Sequence, residues 1–323
     1  MGLPRLGGMA STRALTSQLI VSNPARRVLV GGLALAIVGS VLFSAKAIVV
    51  KLAYRHGVDA ATLIALRMAF SGPLFVVAYV WSGRSAAPLA ARDHLRLIVV
   101  GLLGYYAAST FDFLGLQYIS AALERLILYL NPTLVLLMSA LFLGKRFSRR
   151  ELAALALAYG GIVLVFQHDV SLEGEGVALG SALVFGSAVC YAAYLVISGE
   201  LVRRIGAIRL TSYAMCVSTL AVFVQFIVLN PLGALRQPVP VYWLSLVNGL
   251  LCTVLPVFAT MLAVERIGAG STSMASMVGP VSTIVLAYVF LGESFSAWQL
   301  AGTALVLVGV YVLSQSKPAA ARA

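Results

Sequence analysis

The chain has 323 residues, 61% hydrophobic and 11% charged, with mean hydropathy +0.98 and a formal net charge of +12. Soluble globular proteins carry about 25% charged residues, so this composition excludes an ordinary soluble domain and indicates a polytopic helical membrane protein. Cys190, Cys216 and Cys252 have no Cys or His partner at metal-ligand spacing, and no catalytic or phosphate-binding motif is present, so neither a cofactor, a metal site nor an enzyme is expected.

Residues 1–27 are polar and carry Arg5, Arg13, Arg26 and Arg27 without a cleavage site, which reads as an uncleaved N-terminal tail; Met9 is an alternative start. A membrane-spanning helix needs about 20 apolar residues. Ten apolar runs qualify, at 28–50, 61–81, 95–116, 120–143, 151–168, 175–198, 208–229, 242–263, 270–291 and 297–314, and residues 316–323 form a C-terminal tail. With the N-terminus cytoplasmic, 17 basic residues fall on the inner side and 4 (Lys51, Arg55, Arg125, Arg236) on the outer side. That asymmetry sets the orientation, with both termini inside. It also accounts for the positive charge without nucleic acid.

The segments LFLGKRFSRRELAALALAYGGIVLVF (141–166) and VFLGESFSAWQLAGTALVLVGVYVLS (289–314) align without a gap at an offset of 148 residues, Gly144 on Gly292. Upstream, Pro132 meets Pro280 and the GLL of 101–103 meets that of 249–251. The expected architecture is therefore two five-helix halves, 28–168 and 169–315. Because five is odd, the second half is inverted relative to the first. Inverted repeats characterise many secondary transporters, with the site at the repeat interface.

These paired segments, NPTLVLLMSALFLGKRFS and GPVSTIVLAYVFLGESFS, resemble the EamA-type exporters of the drug/metabolite transporter superfamily. The early serine of each half and Arg67 also fit. The resemblance covers about Arg27 to Gln315. It implies ten helices, a central pathway lined by helices 1–4 and 6–9, peripheral helices 5 and 10, and export of amino acids, other metabolites or drugs. Lys145 departs from the acidic LGE pattern intact at 291–293, and the pair Glu124–Arg125 departs where many members are small or apolar.

Lys46, Arg67, Asp112, Glu124 and Arg125 come from four predicted spans and fall at one depth, in the outer part of the membrane. Ionisable residues within spans usually face a cavity or one another. Glu124 or Asp112 is a candidate proton-coupling site, and the cations are candidates for a substrate carboxylate. The alternatives are structural: Ser120 caps the fourth span, Arg125 snorkels to the surface, and Lys46 and Arg67 merely neutralise Asp112. Tyr105, Tyr129, Asn131 and Tyr191 are further pathway candidates. Pro132 and Pro280 are expected to kink mid-span as gates, freeing the carbonyls of Leu128 and Ser276.

The function expected is a secondary active transporter in a bacterial inner membrane, exporting amino acids or related small metabolites by alternating access, with the proton as candidate coupling ion. Its expected partners are a small-molecule substrate and the lipid bilayer, the protein being a monomer or homodimer. A multidrug or cation exporter of the same fold, and a non-transporting membrane sensor or assembly protein, are the alternatives. In the cluster three cations face two acids, which favours anionic or zwitterionic solutes.

Overall fold

The computed structural model describes residues 24–84, 88–143, 149–173, 176–276, 278–294 and 296–314. Among these the secondary structure is helical and no strand occurs. The helices are α1 (Pro24–Tyr54), α2 (Ala60–Gly83), α3 (Ala91–Gly101), α4 (Ala108–Gly115), α5 (Ala121–Leu128), α6 (Asn131–Leu143) and α7 (Arg149–Glu173). They continue as α8 (Val177–Ile205), α9 (Ala207–Leu229), α10 (Val239–Gly249), α11 (Leu255–Ala275), α12 (Val278–Leu286) and α13 (Ala297–Ser314). Seven segments among the described residues are long and apolar enough to cross a membrane, and three shorter apolar helices lie at Leu152–Val165, Val278–Leu291 and Ala297–Val312. Each of the ten apolar runs overlaps one of these segments. Large apolar side chains stay exposed on the outside, among them Trp81, Leu220, Ile227 and Val228, as a lipid-facing surface requires.

Local chemistry sets the helix starts. Asp59 accepts from Thr62 N (3.0 Å) at the head of α2, and Ser120 accepts from Leu123 N (3.1 Å) at the head of α5. Both satisfy backbone donors that the first helical turn leaves unpaired. α3 passes into α4 through a π-helical segment, Leu102–Ala107, and α10 passes into α11 through another, Leu250–Val254. Their starts differ by the repeat offset, so the repeat extends to this irregularity of the backbone. Such segments often mark functional sites.

The prolines behave differently from a mid-span kink. The fourth span is broken at Tyr129–Leu130 and restarts as α6, which places Pro132 in the first turn of a new helix. Proline is tolerated there because the first-turn N–H has no intrahelical acceptor. Pro280 likewise sits near the start of α12. Leu128 O is capped by Asn131 Nδ2 (2.8 Å). Ser276 O accepts from Ser40 Oγ (2.8 Å) and Tyr129 OH (2.5 Å). Both carbonyls expected to be freed have partners.

Helical hydrogen bonding runs through Leu255–Ala275, but its contacts with α1 retrace their path. A Cβ on Gly39 would meet Thr260 and Ala259, one on Gly32 would meet Arg266, and Ser276 is back beside Ser40. A straight helix rises 1.5 Å per residue and would carry Ser276 far beyond Ser40. The chain therefore turns back between Ile267 and Ser276.

Contacts also define two ends of the molecule. At one end, Lys51 Nζ donates to Ile119 O (2.8 Å) and pairs with Glu293 (3.2 Å), while Arg55 donates to Leu291 O (2.7 Å). Gly176 packs against Tyr118 at this end. At the other, Arg204 grips both Asp93 oxygens (2.8 and 3.2 Å) and His94 meets Tyr213 OH (3.0 Å). α7 and α13 pack on each other through small residues. Gly161 abuts the Gly302 carbonyl and Gly309 abuts that of Ala154. Shifted by 148, the first contact becomes the second, so the repeat-equivalent helices meet antiparallel about a local two-fold.

Candidate functional site

The broken and π-bulged helices surround a cavity of about 330 Å³. Its walls come from α1, α2, the α3–α4 rod, the α5–α6 break, α8, α9, the α10–α11 rod and Ser276, with none of the named lining residues in α7 or α13. The lining obeys the repeat. Phe43, Lys46, Arg67, Tyr105, Asp112 and Leu128 line it from the first half, and Tyr191, Tyr194, Met215, Thr253, Thr260 and Ser276 line it at the positions 148 residues on. The cavity thus sits astride the pseudo-two-fold, but the ionisable side chains belong to one half only.

Those charges are gathered as expected. Lys46, Arg67, Asp112, Glu124 and Arg125 are each at most 5% exposed. Lys46 Nζ donates to Asp112 Oδ2 at 2.5 Å and stands 3.1 Å from Glu124 Oε1, off the line of a hydrogen bond, so that second pairing is electrostatic. Arg67 lies over the Phe113 ring, 4.7 Å from its centroid. Arg125 is held between two rings, Phe43 at 5.0 Å and Tyr129 at 5.5 Å, and its Nη2 donates to Ser44 Oγ (2.9 Å). It does not snorkel, because these contacts hold the guanidinium inside. Among the described residues neither Arg67 nor Arg125 forms an ion pair. Among the described residues, Arg67 Nε, Arg125 Nε, Asp112 Oδ1 and both Glu124 carboxylate oxygens have no hydrogen-bond partner.

Eight of the sequence candidates line the cavity: Lys46, Arg67, Tyr105, Asp112, Arg125, Tyr129, Asn131 and Tyr191. Glu124 stands behind the wall, fully buried against Lys46. Pro132 and Pro280 adjoin wall segments without lining them. Tyr105, Tyr194 and Tyr191 form an aromatic wall, with ring centroids 5.2 Å apart in each successive pair and the hydroxyls of Tyr105 and Tyr194 at 3.3 Å. Phe43, Met215, Thr253 and Thr260 were not legible as site residues. Only their repeat relation to charged or tyrosine positions could have marked them.

The pattern of the EamA-like transporter family matches residues 30–167 and again residues 178–315, the two matches beginning one repeat offset apart. The chain belongs to this family. It is similar to the uncharacterized transporter YcbK of Bacillus subtilis (strain 168), 29% identical over 82% of this chain and 87% of that protein. It is also similar to a probable terminal-alkyne amino-acid exporter of Streptantibioticus cattleyicolor, 26% identical over 74% of this chain and 81% of that one. A solved crystal structure with 20% identity superimposes at a TM-score of 0.61, covering 87% of this chain and 95% of its own, and supports the fold. The protein is an EamA-family transporter and a multi-pass membrane protein.

In this EamA chain α1 is packed most tightly toward the Lys51 end. Residues 46–50 of α1 are all buried, which means every face of that turn is covered. Over 28–38 only Gly32 and Ala36 are buried, so one stripe of α1 is packed and the rest is open. Lys46 of the charged cluster therefore lies in the tightly packed part of α1, whose Asp93 end is packed along one stripe.

Proposed function

We propose that this protein is a secondary active transporter that exports amino acids or closely related small metabolites by alternating access. In this reading ten helices cross a bacterial inner membrane as two inverted five-helix halves, with both termini in the cytoplasm and the Lys51 end outside. The helix breaks at Tyr129–Leu130 and around Ser276 serve as gates. The excess of basic residues at the Asp93 end supports the orientation. The terminal-alkyne amino-acid exporter among its relatives supports the solute class.

The observation that carries the reading is the cavity itself. It lies on the pseudo-two-fold and is lined by a desolvated charge cluster. A chamber on the axis relating two inverted halves is where rocking of one half against the other exposes a site to alternate sides. Asp112 and Glu124, joined through Lys46, are the candidate carriers of a coupling proton.

The test is thermal stability of the purified protein in detergent against millimolar amino acids, organic acids, sugars and quaternary amines. A solute at 100 times its Kd adds about 2.7 kcal/mol. Stabilisation by amino acids or related acids is expected, and a response to quaternary amines alone would favour the cation exporter. In proteoliposomes, Glu124→Gln and Asp112→Asn are expected to remove the pH dependence of transport. Retention of full pH dependence by both would eliminate proton coupling through these carboxylates.

A further inference from the structure

We propose that Arg125 is the carboxylate-binding residue of the cavity. Its solute is a compact organic carboxylate with an apolar body and a hydrogen-bond donor on the neighbouring carbon. This rests on the transporter reading and adds the solute chemistry and its subsites.

The argument starts from charge. Three cations and one carboxylate line the cavity, and the only other carboxylate of the cluster, Glu124, lies behind Lys46. Asp112 and Glu124 are both paired with Lys46, while among the described residues neither guanidinium has a carboxylate oxygen within ion-pair distance. A buried cation without a counter-charge is costly, and partnership with an anion relieves it. The cluster therefore has one positive charge to spare, which matches a single solute carboxylate.

Geometry selects Arg125. The Phe43 and Tyr129 rings lie against its guanidinium, 5.0 and 5.5 Å from Cζ to their centroids, and Ser44 occupies one donor. Its Nε is left without a hydrogen-bond partner among the described residues, in a side chain 5% exposed. A guanidinium edge presents parallel N–H groups that fit a planar carboxylate, which an ammonium cannot reproduce. Two rings and a serine hold that edge before the solute arrives, so little ordering is left for binding to supply.

A second orphan complements the first. Asp112 Oδ2 takes Lys46, but Oδ1 is buried without a donor on the same cavity. In this proposal it accepts from an ammonium or hydroxyl next to the carboxylate. The tyrosine wall of Tyr105, Tyr191 and Tyr194 receives the apolar body. The volume of about 330 Å³ lies at the small end of the range for ligand pockets, which limits the solute to amino-acid size.

Four probes of matched shape test this: leucine, leucinamide, 3-methylbutylamine and 4-methylpentanoate. Binding to the purified full chain in detergent is measured by calorimetry, and flux of the same compounds in proteoliposomes. Leucine and 4-methylpentanoate are expected to bind, with the amide and amine at least tenfold weaker. Arg125→Lys keeps the charge and loses the fork. It is expected to stay folded, by its melting temperature, and to bind leucine at least tenfold more weakly. Asp112→Asn is expected to weaken leucine more than 4-methylpentanoate. Equal binding of leucine and 3-methylbutylamine, unchanged leucine binding by Arg125→Lys, or no binding of either carboxylate overturns the proposal. Flux of the amine, insensitive to Arg125→Lys, would overturn it while leaving transport standing.

Discussion

Lys46 is the residue on which the cluster depends most. Among the described residues it is the cation within ion-pair distance of Asp112 and Glu124, both almost without solvent. Replacing Lys46 with Met strands two buried carboxylates, and breaking a buried pair by removing one partner costs about 3–5 kcal/mol. Lys46→Met is therefore expected to lose that much stability in detergent unfolding. The triple variant Lys46→Met, Asp112→Asn, Glu124→Gln is expected to recover most of it, since no charge is then left unpaired. A Lys46→Met protein as stable as the parent would mean that the carboxylates find other partners. The existence of this cluster was legible because charge is rare in apolar runs. Its pairing was not, because the partners come from separate helices and the choice between Lys46 and Arg67 for Asp112 depends on side-chain reach. The aromatic clasp on Arg125 was hidden for the same reason.

At the scale of elements, the carbonyl of Ser276 joins the two halves. It accepts from Ser40 of α1 and from Tyr129 at the α5–α6 break, so the break in the second half is fixed by side chains of the first. Gly279 is part of this junction, where an added Cβ would collide with Tyr129 OH and crowd Ser40 and Arg125. Removing one donor leaves the carbonyl its second, whereas removing both leaves a half-buried acceptor bare. Ser40→Ala and Tyr129→Phe are each expected to cost about 1 kcal/mol, within the usual net worth of a hydrogen bond. The double variant is expected to cost more than the sum, a coupling readable from a double-mutant cycle. Strict additivity would show that the two bonds act independently. The matched prolines pointed to these places in the sequence but suggested bent helices. The difference is physical. A helix that stops and restarts puts proline in a first turn at no cost, and side chains such as Asn131 and Tyr129 take the carbonyls. That outcome depends on long-range partners that local sequence does not display.

For the whole molecule, the contacts at its ends bear on the ten-span proposal. Residues 55, 119, 176 and 291 gather at one end, and residues 93, 204 and 213 at the other. α13 leaves the first end after Leu291, and α7 runs antiparallel to it, so α7 reaches that end near residue 173 after starting at the other. The fourth span must then cross as well, from Ser120 to the α7 start. The repeat adds a sharper consequence. His56 and Arg204 are equivalent by the offset of 148 residues yet lie at opposite ends, as inversion requires and parallel repeats forbid. Cysteine labelling decides it. With Cys190, Cys216 and Cys252 replaced by serine, His56→Cys and Arg236→Cys are expected to react with a membrane-impermeant maleimide on intact cells. Arg92→Cys and Arg204→Cys are expected to react only after permeabilisation. Labelling of His56→Cys and Arg204→Cys from the same side would leave the pseudo-two-fold without a membrane to lie in. The charge asymmetry would then reflect lipid attraction and not topology.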